Sequence, residues 1–125
     1  MSENAAGKAG ADPTATCLFC RIVRGELPAT IVAEDEQALA FRDIDPKAPT
    51  HVLVVPRVHA ADLAALADRD PDALAAVARL AGLVAQGEGL AAYRTVFNTG
   101  AGAGQTVFHV HAHVLGGRAL SWPPG

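Results

Sequence analysis

Residues His109 to Leu115 read His-Val-His-Ala-His-Val-Leu. Alternation this strict predicts a half-buried β-strand, because side chains on a strand change face at every residue. Val110, Ala112 and Val114 then face a core, and His109, His111 and His113 line the other side. At about 3.3 Å of rise per residue, histidines two apart stand roughly 7 Å from one another and the outer pair roughly 13 Å. Such a row suits one working imidazole with a helper on each side better than one metal held by all three.

The remaining composition narrows the class. A chain of 125 residues has room for one domain with one core. Half of its residues are hydrophobic but only 5% are aromatic, which predicts a core built from Ala, Val and Leu. A net charge of −3, without a cluster of Lys or Arg, argues against a nucleic-acid partner. No run of about 20 apolar residues is present to span a membrane, and the N-terminus has no basic region followed by an apolar stretch. Cys17 and Cys20, three residues apart, fit a reducing cytoplasm better than a disulfide scaffold.

Residues 1–14 are small, polar and aperiodic, with Pro13, and are expected to be a mobile tail ahead of a single domain over 15–125. Cys17 to Val23 reads as a short apolar turn or helix stopped by Gly25 and Pro28. Thr30–Glu34 and Ala38–Asp43 read as a hairpin, and His51–Val55 as a central strand ended by Pro56. Asp62 to Leu66 has room for one helical turn. A longer helix follows: Asp70 is a good N-cap, Pro71 suits the first helical position, and Leu74, Val77, Leu80, Ala81 and Val84 form one apolar stripe. Gly82 inside it costs about 1 kcal/mol against Ala, which predicts close packing there. Tyr93–Asn98 is a fourth strand and the histidine strand a fifth. The expected fold is therefore α+β: a mainly antiparallel five-stranded sheet with one long helix and a short N-terminal one.

Between the last two strands, Gly100, Gly102 and Gly104 alternate with small residues. Such a loop can gather backbone N–H groups around an anion, and a flexible hairpin would look the same. It is not a P-loop, lacking Gly-Lys-Ser/Thr and a following helix.

The His-x-His-x-His run with apolar spacers resembles the signature of the histidine triad superfamily of nucleotide hydrolases and transferases. The likeness runs from Cys17 to Gly125 and takes in Phe41-Arg42-Asp43-Ile44, Ala48-Pro49-Thr50-His51, Val54-Val55-Pro56, Gly104-Gln105-Thr106-Val107 and the closing Trp122-Pro123-Pro124-Gly125. These flanks are similar to the Hint-like branch; the last of them favours it over the Fhit-like dinucleoside polyphosphate hydrolases.

The resemblance implies a purine nucleoside phosphoramidase that splits AMP–amine conjugates through a covalent nucleotidyl-histidine. His111 would be the nucleophile, His113 would bind a phosphate oxygen and assist proton transfer, and Thr106 would hydrogen-bond the leaving group. An unperturbed histidine, with pKa near 6.5, is mostly uncharged at neutral pH, and its second nitrogen must be held as a donor to leave the first one free. By the same likeness Asp43 binds the ribose hydroxyls, Phe19, Ile22, Phe41, Ile44 and Leu53 enclose the purine, and Asn98 lies near sugar and phosphate. Gly104, Gln105, Thr106 and Val107 would belong to the nucleotide site, with the N–H groups from Gly104 to Thr106 offered along the phosphates. Cys17-x-x-Cys20 is similar to bacterial members in which two histidines complete a structural zinc site, which implies Cys17, Cys20, His51 and His109 as ligands, with no organic cofactor. His59, just after Pro56-Arg57, reads as an exposed or capping residue. The family also implies a homodimer paired through the long helix and fourth strand. The alternatives are a dinucleoside polyphosphate hydrolase, or a nucleotide-binding interaction module without turnover.

Overall fold

A computed structural model describes residues 13–125; all but the last two residues of the expected tail lie outside that range, and Pro13 and Thr14 already belong to a helical turn, α1 (Pro13–Thr16). Then come α2 (Leu18–Val23), β1 (Ile31–Glu34), β2 (Ala38–Arg42), β3 (Thr50–Pro56), α3 (Leu63–Arg69), α4 (Pro71–Gly87), β4 (Tyr93–Val96), a 3-10 turn at Ala101–Ala103 and β5 (Ala112–Gly116). The five strands form one antiparallel sheet in the order β1-β2-β3-β5-β4. This is the α+β fold expected from the sequence.

Strand periodicity divides the core into two layers. Ala38, Ala40, Val52, Val54, Ala112 and Val114 face α4, meeting Ala76, Val77, Leu80, Ala81, Val84 and Ala85. Alanines on both surfaces bring helix and sheet close together, and truncating a fully packed residue such as Leu80 to Ala would cost about 2–5 kcal/mol. The alternate residues Leu39, Phe41, Leu53 and Val55 point to the opposite side, where α2 covers them with Phe19. β3 is therefore buried along its whole length, which accounts for its continuous apolar run.

The helix signals act as read. The Asp70 carboxylate accepts the Ala73 N–H at 3.0 Å with Pro71 opening α4, while Asp62 caps an α3 of two turns rather than one. Gly82 departs from expectation: a Cβ there would meet only the Tyr93 hydroxyl, at an ordinary 3.7 Å. Among the described residues no close packing requires that glycine.

The histidine run is only partly strand. Its ladder with β3 ends at Val54–Ala112, close to Pro56, which has no N–H to give. Beyond that point the Val110 N–H donates to the Ala60 carbonyl at 2.8 Å, and the Pro56 carbonyl accepts from the His109 ring at 2.9 Å. The alternation of faces persists: Val110 is buried with Ala60, Leu66 and Ala73, whereas the histidines turn to the α2 side. His113 is the one histidine of the three inside β5.

Candidate active site and metal centre

His109 is fully buried. Its Nε2–H donates to the Pro56 carbonyl, so in the neutral ring the lone pair is on Nδ1. That nitrogen lies 3.5 Å from the Cys17 sulfur, 3.4 Å from the Cys20 sulfur and 3.2 Å from Nδ1 of His59. His59 Nδ1 is in turn 3.3 Å from the Cys20 sulfur. All four donor atoms lie within 4.8 Å of one another. Tetrahedral zinc with Zn–S of about 2.3 Å and Zn–N of about 2.0–2.1 Å sets its ligands roughly 3.3–3.8 Å apart, so the spacing fits the ion. Burial keeps the His109 ring neutral, its pKa pushed down to about 4, and the neutral ring is the form that binds metal. Four protein donors close the shell, so this is a structural zinc site.

One expected ligand is displaced. His51 is not near the cysteines, and His59, read from sequence as exposed or capping, takes its place. The cause is the antiparallel register. His51 pairs with Leu115 at the far end of β5, whereas His109 precedes Ala112, the partner of Val54. The start of the histidine run therefore meets the residues after Pro56. The signal that could have found His59 is antiparallel pairing of the third and fifth strands, followed past Pro56.

His111 stands next in the row. Its Nδ1–H donates to the backbone carbonyl of His109 at 2.8 Å, which leaves the lone pair on Nε2. The Phe19 ring meets it edge-on at 5.0 Å, and burial holds its pKa below the usual histidine range. His113 follows with ring centroids 4.9 Å apart, its pKa lowered to about 4 by burial first and then by the neighbouring His111 and His51. His51 belongs to this end of the row. Its Nε2 is 2.9 Å from Nδ1 of His113 and 3.4 Å from the Asp43 carboxylate. Burial lowers its pKa too, against the opposing pull of Asp43.

His111, His113 and Asp43 open onto a cavity of about 620 Å³, within the range of small-molecule sites. Phe19, Ile22, Phe41, Ile44, Leu53 and Val107 supply its apolar wall. The Phe19 and Phe41 rings pack edge to face at 5.5 Å, and Ile44 is fully exposed at the rim. Asp43, Thr106, His111 and His113 supply the polar side. Asn98, Gly104 and Gln105 are not part of this lining. The expected backbone cradle is also largely spent: the Gly104 N–H donates to Ala101 and the Gln105 N–H to Gly100. The buried Gln105 amide braces the loop, accepting from Gly100 N–H and donating to the carbonyls of Ala61 and Val107. Of the stretch expected along the phosphates, Thr106 and Val107 reach the cavity wall.

Fold and site together define an antiparallel α+β domain in which a metal cage, an imidazole row and a nucleotide-sized cavity stand side by side. The chain belongs to the HIT domain family, whose model matches residues 24–120. It is 46% identical over 111 residues to the 14 kDa zinc-binding protein of Zea mays, covering 86% of this chain and 87% of that one. It is 41% identical over 127 residues to the adenylylsulfatase HINT1 of Arabidopsis thaliana, covering 99% and 86%. The structure of a HIT family hydrolase from Legionella pneumophila superposes with a TM-score of 0.84 at 52% identity, covering 88% of this chain and 100% of that one. No helix among the described residues is long and apolar enough to cross a membrane.

Proposed function

We propose that this HIT family hydrolase is a purine nucleoside phosphoramidase, cleaving the P–N bond of AMP–amine conjugates. The observation that carries the reading is the bond from His111 Nδ1–H to the His109 carbonyl, which leaves the other nitrogen unprotonated beside a nucleotide-sized cavity. In the first step that nitrogen bonds to the α-phosphorus and the P–N bond breaks. The departing amine takes the electron pair and gains a proton, with the Thr106 hydroxyl on the cavity wall to hydrogen-bond it. In the second step water attacks phosphorus, gives up a proton, and His111 leaves with its lone pair restored. Asp43 accepts hydrogen bonds from the ribose hydroxyls, and Phe19, Phe41 and Ile44 cover the base. Cys17, Cys20, His59 and His109 would hold a zinc ion that lends the site rigidity, their four donors leaving it no open position for chemistry.

The adenylylsulfatase relative supports a second reading, a mixed-anhydride P–O–S substrate attacked at the same phosphorus with sulfate departing. Turnover of an AMP–amine, of adenylyl sulfate and of a dinucleoside polyphosphate under matched conditions separates these readings. For the nucleophile itself, rapid quench followed by peptide mass spectrometry should find the nucleotidyl group on His111. His111→Ala should lose about 10⁴-fold or more in kcat; unchanged hydrolysis would make the chain a binding module.

We also propose a homodimer in a reducing cytoplasm. β4 is an edge strand, and Leu83 on α4 and Tyr93 on β4 are exposed apolar residues next to it. Trp122, 82% exposed, would reach toward the partner's site. Sedimentation of the wild type and of Leu83→Glu tests the pairing.

A further inference from the structure

The same row that exposes a lone pair on His111 carries, two residues on, a ring whose hydrogen bonds run the other way. The backbone N–H of Lys47 donates to Nδ1 of His51 at 3.0 Å. A backbone amide can only donate, so that nitrogen holds the lone pair and the neutral ring carries its proton on Nε2. The loop that presents this amide is itself held: Arg118 Nε–H donates to the Lys47 carbonyl at 3.1 Å, and the Asp43 carboxylate accepts the Asp45 N–H at 2.8 Å. His51 Nε2 then has two acceptors in reach, Nδ1 of His113 at 2.9 Å and the Asp43 carboxylate at 3.4 Å.

We infer that His51 is a positioning residue whose Nε2–H fixes His113 in the tautomer opposite to that of His111. With Nδ1 of His113 occupied as an acceptor, the proton of that neutral ring lies on Nε2, the only nitrogen it can offer to the cavity. Adjacent imidazoles of one row thus present different chemistry: His111 a lone pair for phosphorus, His113 an N–H for a phosphoryl oxygen. Two backbone groups of opposite polarity set the difference, the His109 carbonyl for one ring and, through His51, the Lys47 amide for the other. A preset N–H aimed at developing negative charge needs no reorganisation during the reaction. The catalytic consequence rests on the proposed attack at phosphorus, but the tautomers do not depend on it.

The test is ¹⁵N NMR of imidazole-labelled, zinc-loaded protein at neutral pH, with rings assigned by single substitutions. His51 and His113 should each show an unprotonated Nδ1 and a protonated Nε2, and His111 the reverse; a protonated Nδ1 on His113 overturns the inference. In kinetics, His51→Ala should lower kcat for the AMP–amine roughly 10²-fold with little change in KM. His51→Gln, whose amide can donate to His113 Nδ1, should recover most of it. Equal losses in the two variants would mean a merely structural role and would also overturn the inference. Covalent trapping on His111 reports separately: a missing adduct with the tautomers as stated sinks the phosphoramidase reading, and an adduct with His113 reversed sinks only the role of His51.

Discussion

The carbonyl oxygen of His109 accepts the Nδ1 proton of His111 at 2.8 Å, while the ring of His109 stands 3.4 Å from the Cys20 sulfur. One residue therefore joins the metal cage to His111, the proposed nucleophile. Phe19, lying between the two cysteines in sequence, adds a second link by packing edge-on against the rings of both His109 and His111. Zinc binding is folding energy for whatever it immobilises. Stripping the metal with a chelator under reducing conditions should lower the melting temperature and reduce kcat roughly 10- to 100-fold, the usual cost of loosening the support of a working group. Full activity in verified zinc-free protein would mean that the carbonyl holds His111 without help from the cage.

His59 and His51 make opposite predictions about metal content. His59→Ala opens the cage and should purify well below the wild-type stoichiometry of about one zinc per chain. His51→Ala, lying at the other end of the row, should keep its zinc and lose activity instead. Metal analysis by mass spectrometry, set beside a kinetic assay of the same preparations, decides; zinc loss in His51→Ala would refute the division of the row into a metal end and a catalytic end.

Most of the fold, and the gathering of Asp43, Thr106, His111 and His113 around one cavity, were legible in the sequence. The continuous apolar run of β3, the period of two in the histidine run, the Asp70-Pro71 start of α4 and the apolar stripe through Val77, Leu80 and Val84 are local signals, and each acts locally in the structure. What local signals could not give was contact between strands. The family resemblance puts His51 with the cysteines; which end of β3 meets the start of the histidine run is fixed only by the register. The loop glycines misled for a related reason: their freedom suggests an anion cradle, yet Gly104, at φ 93°, serves a turn whose amides bond inside the loop. Side-chain alternation was right where ladder pairing was not, because Pro56 ends the hydrogen bonding before His109 and His111 without changing the way those rings face.

Asp43 lines the cavity beside His113 and is only partly buried, so its carboxylate can meet both ribose hydroxyls. Hydrogen bonds to a charged acceptor contribute about 1.5–3 kcal/mol each. Asp43→Ala, which removes two such bonds, should therefore raise KM for an AMP–amine about 10²- to 10⁴-fold. The wild type should discriminate against the 2′-deoxy substrate and the variant should not. If both enzymes treat the deoxy substrate alike, the carboxylate is not the ribose ligand.

Burial of the histidine row makes stability depend on pH in a calculable direction. His113 in the fold has its pKa lowered to about 4, and His51 and His111 are lowered for the same reason. In the unfolded chain each returns to about 6.5. Between those values the unfolded state binds protons that the folded state refuses, so the unfolding free energy rises with pH there. Stability from His113 is thus fully present above about pH 6.5 and is lost progressively as pH falls toward 4. Urea titrations at several pH values should show this slope. His113→Gln, which removes one titrating ring without touching the cage, should reduce it by up to one proton, about 1.4 kcal/mol per pH unit. An unchanged slope in that variant would mean that the ring protonates as readily in the fold as in the open chain, contrary to its burial beside His111 and His51.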